Sequence, residues 1–254
     1  MTSSKTRVIL VGIGGATCSG KTTLAKHLRR ILPNSVIIHQ DDFTPPQNKV
    51  PIHPVHQVQD WDAPGGAIEW HRLIQFLNNV KETGVIPPDH RSHDHLNEQK
   101  QVSLSDSVSN KWHAEFERLT KETEINGGKI IWGLVDGFLL YWHPDIIKQL
   151  DVRIFLRFPH DVLKRRRHDR HGYHTAVQSD PEGTLWRDPP MYWEHIVWPA
   201  YLEAHRDAFV DGDVESGVPN QKVQGLLLIN GLEIGMDETV ERSCAALRSK
   251  LQDN

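Results

Sequence analysis

The 254-residue chain has two cysteines, Cys18 and Cys244, three methionines and no long apolar run. Two isolated cysteines exclude a disulfide framework and a cysteine-built zinc site, and they fit a reducing compartment. Residues 1–7 are polar and the first apolar stretch, 8–11, is far too short for a signal peptide or a membrane span. The expected location is therefore cytoplasmic, with nuclear entry left open. An excess of basic charge is also missing: the formal net charge of -4 argues against a dedicated nucleic-acid binder. No internal repeat and no low-complexity tract interrupts the chain. What is present, 38% hydrophobic and 24% charged residues, suits a globular protein with a full core.

Histidine is abundant, with 16 in all, and His90, His93, His95, His168, His171 and His174 are crowded. These groups lack the cysteine or glutamate partners that would mark zinc, so they read as surface composition. His90, His93 and His95 lie among Pro, Asp, Arg and Ser, a loop composition.

Hydrophobic periodicity predicts alternating strands and helices. Residues 7–13 form an apolar run leading into glycines, and 21–31 place Leu24, Leu28 and Ile31 at helical spacing before Pro33. Further strands are expected at 36–39, 129–135, 152–158 and 225–229, and further helices at 68–80, 108–124, 161–170, 191–209 and 237–251. Residues 44–66 contain five prolines and read as an irregular excursion; 83–107 read as a partly mobile loop, 172–190 as a flexible connection and 212–221 as a turn-rich insertion. This order predicts a single α/β domain over 1–254, a parallel sheet flanked by helices, with a lid near 160–190 and a variable excursion at 83–123.

Gly15, Ala16, Thr17, Cys18, Ser19, Gly20, Lys21 and Thr22 satisfy the full Walker A pattern between an apolar strand and a helix. The glycines let successive amides face phosphate oxygens, and the helix start adds unpaired amides and its dipole. Lys21 can reach the outer phosphates and Thr22 can place its hydroxyl on magnesium. Cys18 reads as a small loop side chain, because phosphoryl transfer needs no thiol.

Three further segments carry acids suited to this chemistry. Asp41 and Asp42 follow the second strand, on the sheet edge that carries the phosphate loop. Asp41 can orient a hydroxyl and accept its proton, whereas Asp42 reads more readily as structural. Asp136 ends the central strand, where a Walker B acid meets magnesium directly or through water. Trp61 and Asp62, in the proline-rich excursion, could stack on a cationic ring and bind ribose hydroxyls, although Trp61 could equally anchor the loop. Lys164, Arg165, Arg166, Arg167 and Arg170 make the helix at 161–170 strongly basic: Arg166 and Arg170 share a face, with Arg167 about 100° around it. A solvated surface is the plain reading of such a helix, but its place after a strand and before a glycine-containing segment favours a lid.

These landmarks together closely resemble the nicotinamide riboside kinases, within the uridine-kinase-like P-loop kinases. The resemblance is carried by the Walker segment through Thr23, by Gln40-Asp41-Asp42-Phe43, Trp61-Asp62, Asp136-Gly137-Phe138-Leu139-Leu140, the basic run Lys164, Arg165, Arg166, Arg167, and His195 with Val197-Trp198-Pro199. It spans nearly the whole chain and thins at 83–123 and 212–221. It implies a P-loop nucleoside-kinase fold with a basic lid, and transfer of the γ-phosphoryl of ATP to the 5′-hydroxyl of nicotinamide riboside, with nicotinic acid riboside as a second acceptor. A uridine or cytidine kinase is the alternative, and a nucleotide-dependent NTPase switch a more distant one; no guanine-reading Asn-Lys-x-Asp motif is present.

By the same resemblance Asp41 is the base, with Lys21 and Arg166 acting on the phosphates. ATP is held by the Walker residues with Thr23, Arg166, Arg170 and Tyr173. The acceptor meets Asp41, Asp42, Phe43, Trp61, Asp62 and Arg167, and Mg2+ meets Thr22, Asp41 and Asp136. Family members commonly carry glutamate where this chain has Asp136, one methylene shorter, which favours a water-mediated magnesium contact. The expected partners are small molecules alone, with no nucleic acid or membrane, and a monomer is favoured.

Overall fold

The computed structural model describes residues 5–97 and 99–252. Its centre is a five-stranded parallel sheet built from β1 (Lys5–Gly15), β2 (Ser35–His39), β3 (Gly128–Gly137), β4 (Val152–Arg157) and, late in the chain, β7 (Leu226–Asn230), in the order β2-β3-β1-β4-β7. The two-residue period of β1 explains the layering. Val8 and Leu10 face one core, while Ile9, Val11 and Ile13 face the other. Both faces are covered, which is why the central strands read as continuous apolar runs.

The second core is closed by α1 (Lys21–Ile31), α3 (Asp106–Ile125) and α7 (Met236–Gln252), which contribute Leu24, Leu28 and Ile31, then Trp112 and Phe116, then Val240, Cys244 and Leu247. The first core is closed by α2 (Trp70–Thr83), through Leu73, Phe76, Leu77 and Val80, together with the short α4 (Pro144–Gln149) and α6 (Trp198–His205). No described helix is long and apolar enough to cross a membrane.

Several expectations are corrected. The basic helix α5 spans His160–His168, so Arg170 lies beyond it and shares no helical face with Arg166. Residues 172–190 are not a plain connection: β5 (Tyr173–His174) and β6 (Leu185–Trp186) pair antiparallel into a hairpin. The helix expected at 191–209, with Pro199 as its start or a kink, is divided into a π-helical turn, Trp193–Val197, and α6, which starts at Trp198, one residue before Pro199. Pro199 sits in the first turn of α6, where its missing N–H matters least, and the wider turn ahead of it absorbs the mismatch.

Between α2 and α3 the histidine-rich segment contains a short helical turn, Asp94–Leu96, and it is bound on both sides. Asp94 pairs with Lys26 at 2.7 Å, the Asn97 side-chain Oδ1 accepts from the His174 backbone at 2.9 Å, and the Gln178 side-chain Oε1 accepts from the Arg91 backbone at 3.0 Å. The segment therefore spans from α1 to the β5–β6 hairpin.

Candidate active site

Parallel pairing brings the C-terminal ends of β1, β2 and β3 to one sheet edge, and with them Gly15, the turn after His39, and Asp136. The loop after β1 is shaped by left-handed backbone: Gly15 has φ 136°, Cys18 59° and Gly20 92°. A Cβ on Gly15 would lie 2.3 Å from the Leu156 carbonyl oxygen, so only glycine fits. Such alternation turns successive amides into one concavity at the start of α1, an anion nest. Lys21 Nζ donates to the Ala16 carbonyl at 2.7 Å across this loop, and the buried Ser19 hydroxyl has no hydrogen-bond partner among the described residues. Burial lowers the Lys21 pKa, while Asp41 and Asp136 pull it back up.

Asp41 begins the 3-10 turn Gln40–Phe43 directly after β2. Its side chain opens to solvent but is otherwise enclosed by protein. That enclosure, followed by the nearby Asp136 carboxylate, pushes its pKa up to about 6. Asp136 is 4% exposed, and burial alone would raise its pKa. His39, Thr22 and Lys21 outweigh burial and hold it below the usual carboxylate range. Gln40, fully buried, accepts from the Leu139 backbone at 2.9 Å and so fixes the end of β2 against the turn after β3. Lys21, Thr22, Asp41 and Asp136 thus form one electrostatically coupled group.

Arg166, Arg170 and Tyr173 lie over the phosphate loop from the opposite side. Arg166 donates to the Cys18 carbonyl at 3.2 Å, and the Tyr173 hydroxyl lies 2.9 Å from Thr17 Oγ1 and 3.3 Å from Cys18 Sγ. The Arg170 guanidinium stacks 4.1 Å from the Tyr173 ring centre, so the two arginines converge on the loop without a common helix.

A second cluster gathers aromatic rings around Trp61 and Trp186. Trp61 and Trp186 rings are 5.8 Å apart, and Trp186 is 5.7 Å from Tyr192. The Tyr192 hydroxyl accepts from the Trp61 backbone and donates to the Gln59 carbonyl, which fixes the proline-rich excursion against the segment before α6. Asp62 is buried, and burial pushes its pKa up to about 6 against the pull of Arg167. Arg167, also buried, lies 3.8 Å from Asp62 and forms two hydrogen bonds with Asp188, at 2.6 and 3.0 Å. Arg167, Arg170, Tyr173 and Asp188 line part of a cavity of about 360 Å³.

Two residues expected at the acceptor are turned elsewhere. Phe43 is 1% exposed, its ring packed against Phe76 and His90 with the Arg72 guanidinium 4.7 Å away, so it is core. Asp42 is buried too: Oδ1 accepts from the His93 backbone at 3.0 Å, and His90 Nε2 lies 3.7 Å from Oδ2. The same contacts correct the reading of His90 and His93 as surface composition. Trp198, a landmark of the resemblance, packs on His160, Trp193 and Tyr201 and supports the base of α5 instead of the pocket.

His39, Trp186, Asp188 and Tyr192 were absent from the expected site. His39 carries a signal, since it ends β2 immediately before Gln40 and Asp41. Trp186 and Asp188 carry none, because they reach the pocket only through the β5–β6 hairpin.

No family model matches the chain. The nicotinamide riboside kinase of Schizosaccharomyces pombe is 32% identical over 218 residues, covering 86% of this chain and 88% of its own. That of Saccharomyces cerevisiae is 33% identical over 230 residues, covering 89% and 88%. Mouse nicotinamide riboside kinase 2 is 29% identical over 204 residues, covering 80% and 83%. Among solved structures, a Janibacter sugar kinase shares 13% identity with a TM-score of 0.43, covering 95% of each chain, a likeness too weak to bear on function. With identity above 30% to relatives matched along most of both chains, and a Walker loop at the edge of a parallel sheet, the chain belongs to the nicotinamide riboside kinase family.

Proposed function

We propose that the chain transfers the γ-phosphoryl group of ATP to the 5′-hydroxyl of nicotinamide riboside, forming nicotinamide mononucleotide, and that nicotinic acid riboside is also accepted. The observation that carries this reading is the adjacency of two units: the phosphate nest with Lys21 and Asp41, and a cluster that sets the Trp61 and Trp186 rings beside the buried carboxylate of Asp62, whose Oδ2 has no hydrogen-bond partner among the described residues. A tryptophan face attracts a cationic pyridinium ring, and a carboxylate accepts hydrogen bonds from ribose hydroxyls.

Asp41 orients the acceptor hydroxyl and takes its proton. Because the transition state of phosphoryl transfer is loose, orientation contributes more than early proton removal. Lys21, Arg166 and Arg170 offset charge on the phosphates, and Tyr173 draws the lid onto the loop, excluding water. No covalent phosphoenzyme is required, since acceptor and donor elements adjoin one another.

Thr22, Asp41 and Asp136 are the residues that would hold Mg2+. They offer the oxygen ligands that this ion takes; desolvation first and the Asp136 carboxylate second raise Asp41, and a bound divalent cation would favour its charged form against both. When bound, the ion supplies charge neutralisation at the β and γ phosphates. The protein acts in this reading as a cytoplasmic, monomeric, single-domain enzyme whose lid includes α5 and the β5–β6 hairpin.

The deciding experiment is a parallel kinase assay with nicotinamide riboside, nicotinic acid riboside, uridine and cytidine at equal subsaturating concentration. Nicotinamide riboside is expected to react fastest. Faster phosphorylation of uridine overturns the assignment.

A further inference from the structure

Arg167 faces two carboxylates and is bound to only one of them. Its Nε and one terminal nitrogen donate to the two oxygens of Asp188 at 2.6 and 3.0 Å, a bidentate pair, while its approach to Asp62 Oδ2 stops at 3.8 Å. Asp62 Oδ2 is left buried with no hydrogen-bond partner among the described residues. A buried carboxylate oxygen without a hydrogen bond is costly, and the cost persists only where the neighbouring guanidinium is held back; a ligand's hydroxyls would relieve it.

The brace is tied to the aromatic wall. Trp186 Nε1 donates to Asp188 Oδ1 at 3.1 Å, and the Trp186 ring stands 5.8 Å from that of Trp61. Both residues come from the end of the β5–β6 hairpin, which pairs Trp186 with Tyr173. Tyr173 in turn carries the Arg167 guanidinium 4.7 Å from its ring centre. Hairpin, guanidinium and aromatic wall are therefore one mechanical unit.

We infer that Asp188 is a positioning residue for the riboside: with Trp186 it restrains Arg167 in a bidentate pair and so keeps Asp62 Oδ2 free to receive the ribose hydroxyls. Without Asp188 the guanidinium swings onto Asp62, closes that pair and occupies the group the acceptor needs. The loss falls on acceptor binding, because neither Asp188 nor Asp62 touches the phosphate loop. This inference rests on the riboside kinase reading above.

The test is steady-state kinetics on the full chain, with nicotinamide riboside and ATP varied in turn. Asp188→Ala is expected to raise the riboside KM at least about tenfold, the effect of losing a hydrogen bond to a charged group, with the ATP KM within about twofold. Asp188→Asn, which keeps the oxygen but not the charge, is expected to give a smaller rise and serves if the alanine variant fails to fold. In an Arg167→Ala background, Asp188→Ala should add less than about twofold, since the brace then has nothing to hold. A riboside KM unmoved in both Asp188 variants, an equal rise in both KM values, or full additivity with Arg167→Ala overturns the inference while leaving the kinase assignment intact. Failure of the unsubstituted protein to phosphorylate nicotinamide riboside overturns both.

Discussion

His39 Nδ1 lies 2.8 Å from Asp136 Oδ1, and the two residues are direct register partners at the C-terminal ends of β2 and β3. Burial opposes charge on the imidazole, but Asp136, with Asp94 and Asp42 beyond it, prevails and raises its pKa to about 9. At neutral pH this is a buried ion pair, and it fixes one oxygen of a short acidic side chain.

Removing that anchor should loosen Asp136 without deleting it. His39→Ala is expected to raise the Mg2+ concentration needed for half-maximal rate by about tenfold, the usual effect of losing a partner behind a metal-binding group. Initial rates across a magnesium titration at fixed ATP check this. An unchanged magnesium requirement would assign His39 to folding alone.

Asp41→Asn preserves the shape of the turn but cannot accept a proton. Turnover should fall by about 10²- to 10⁴-fold, with ATP affinity measured by calorimetry largely retained. In the unsubstituted protein, with a pKa of about 6 when no metal is bound, Asp41 becomes neutral as pH falls through that value, and riboside kcat/KM should decline on that acid limb. Raising Mg2+ should move the limb to lower pH, because a nearby cation favours the carboxylate.

Gly15→Ala forces a side chain into φ 136° and against the Leu156 carbonyl at 2.3 Å. The strain alone costs about 1–3 kcal/mol, and the displaced loop should also weaken ATP binding. Denaturant unfolding together with nucleotide titration reads both effects; a stable variant with normal ATP affinity would contradict this account of the loop.

His205, on the last turn of α6, links stability to pH. It is fully buried, with Nδ1 2.8 Å from the Tyr201 carbonyl, and burial lowers its pKa from 6.5 to about 4. Below pH 6.5 the unfolded chain takes up a proton that the folded protein refuses, so stability is full above 6.5 and declines as pH falls towards 4. The total loss is up to about 3 kcal/mol, and His205→Phe should remove this component from the pH dependence of Tm.

Much of this was legible beforehand because local rules sufficed. The Walker spacing, Pro33 after Ile31 and the apolar runs of β1, β3 and β4 each reflect neighbours in sequence or a period of two or 3.6, and the helix over Lys21–Ile31 appeared where expected. Boundaries failed where tertiary contacts set them. Asp136 lies inside β3 because β1 and β2 continue pairing past Val135. Phe43 was misplaced because its neighbour Asp41 faces the cleft while Phe43 packs on Phe76 and His90, a division that one turn of 3-10 helix makes and composition cannot reveal.

The sequence by itself determined the phosphate loop, the parallel α/β order and the acid after β2, since each depends on residue type at fixed short spacing. Only the tertiary structure decided what surrounds them. It placed His39 against Asp136 across a strand register, brought Arg166 and Arg170 to one loop without a shared helix, and set Asp188 on Arg167 through a hairpin. Those contacts join residues far apart in the chain, and no local periodicity encodes which buried charge will find which partner.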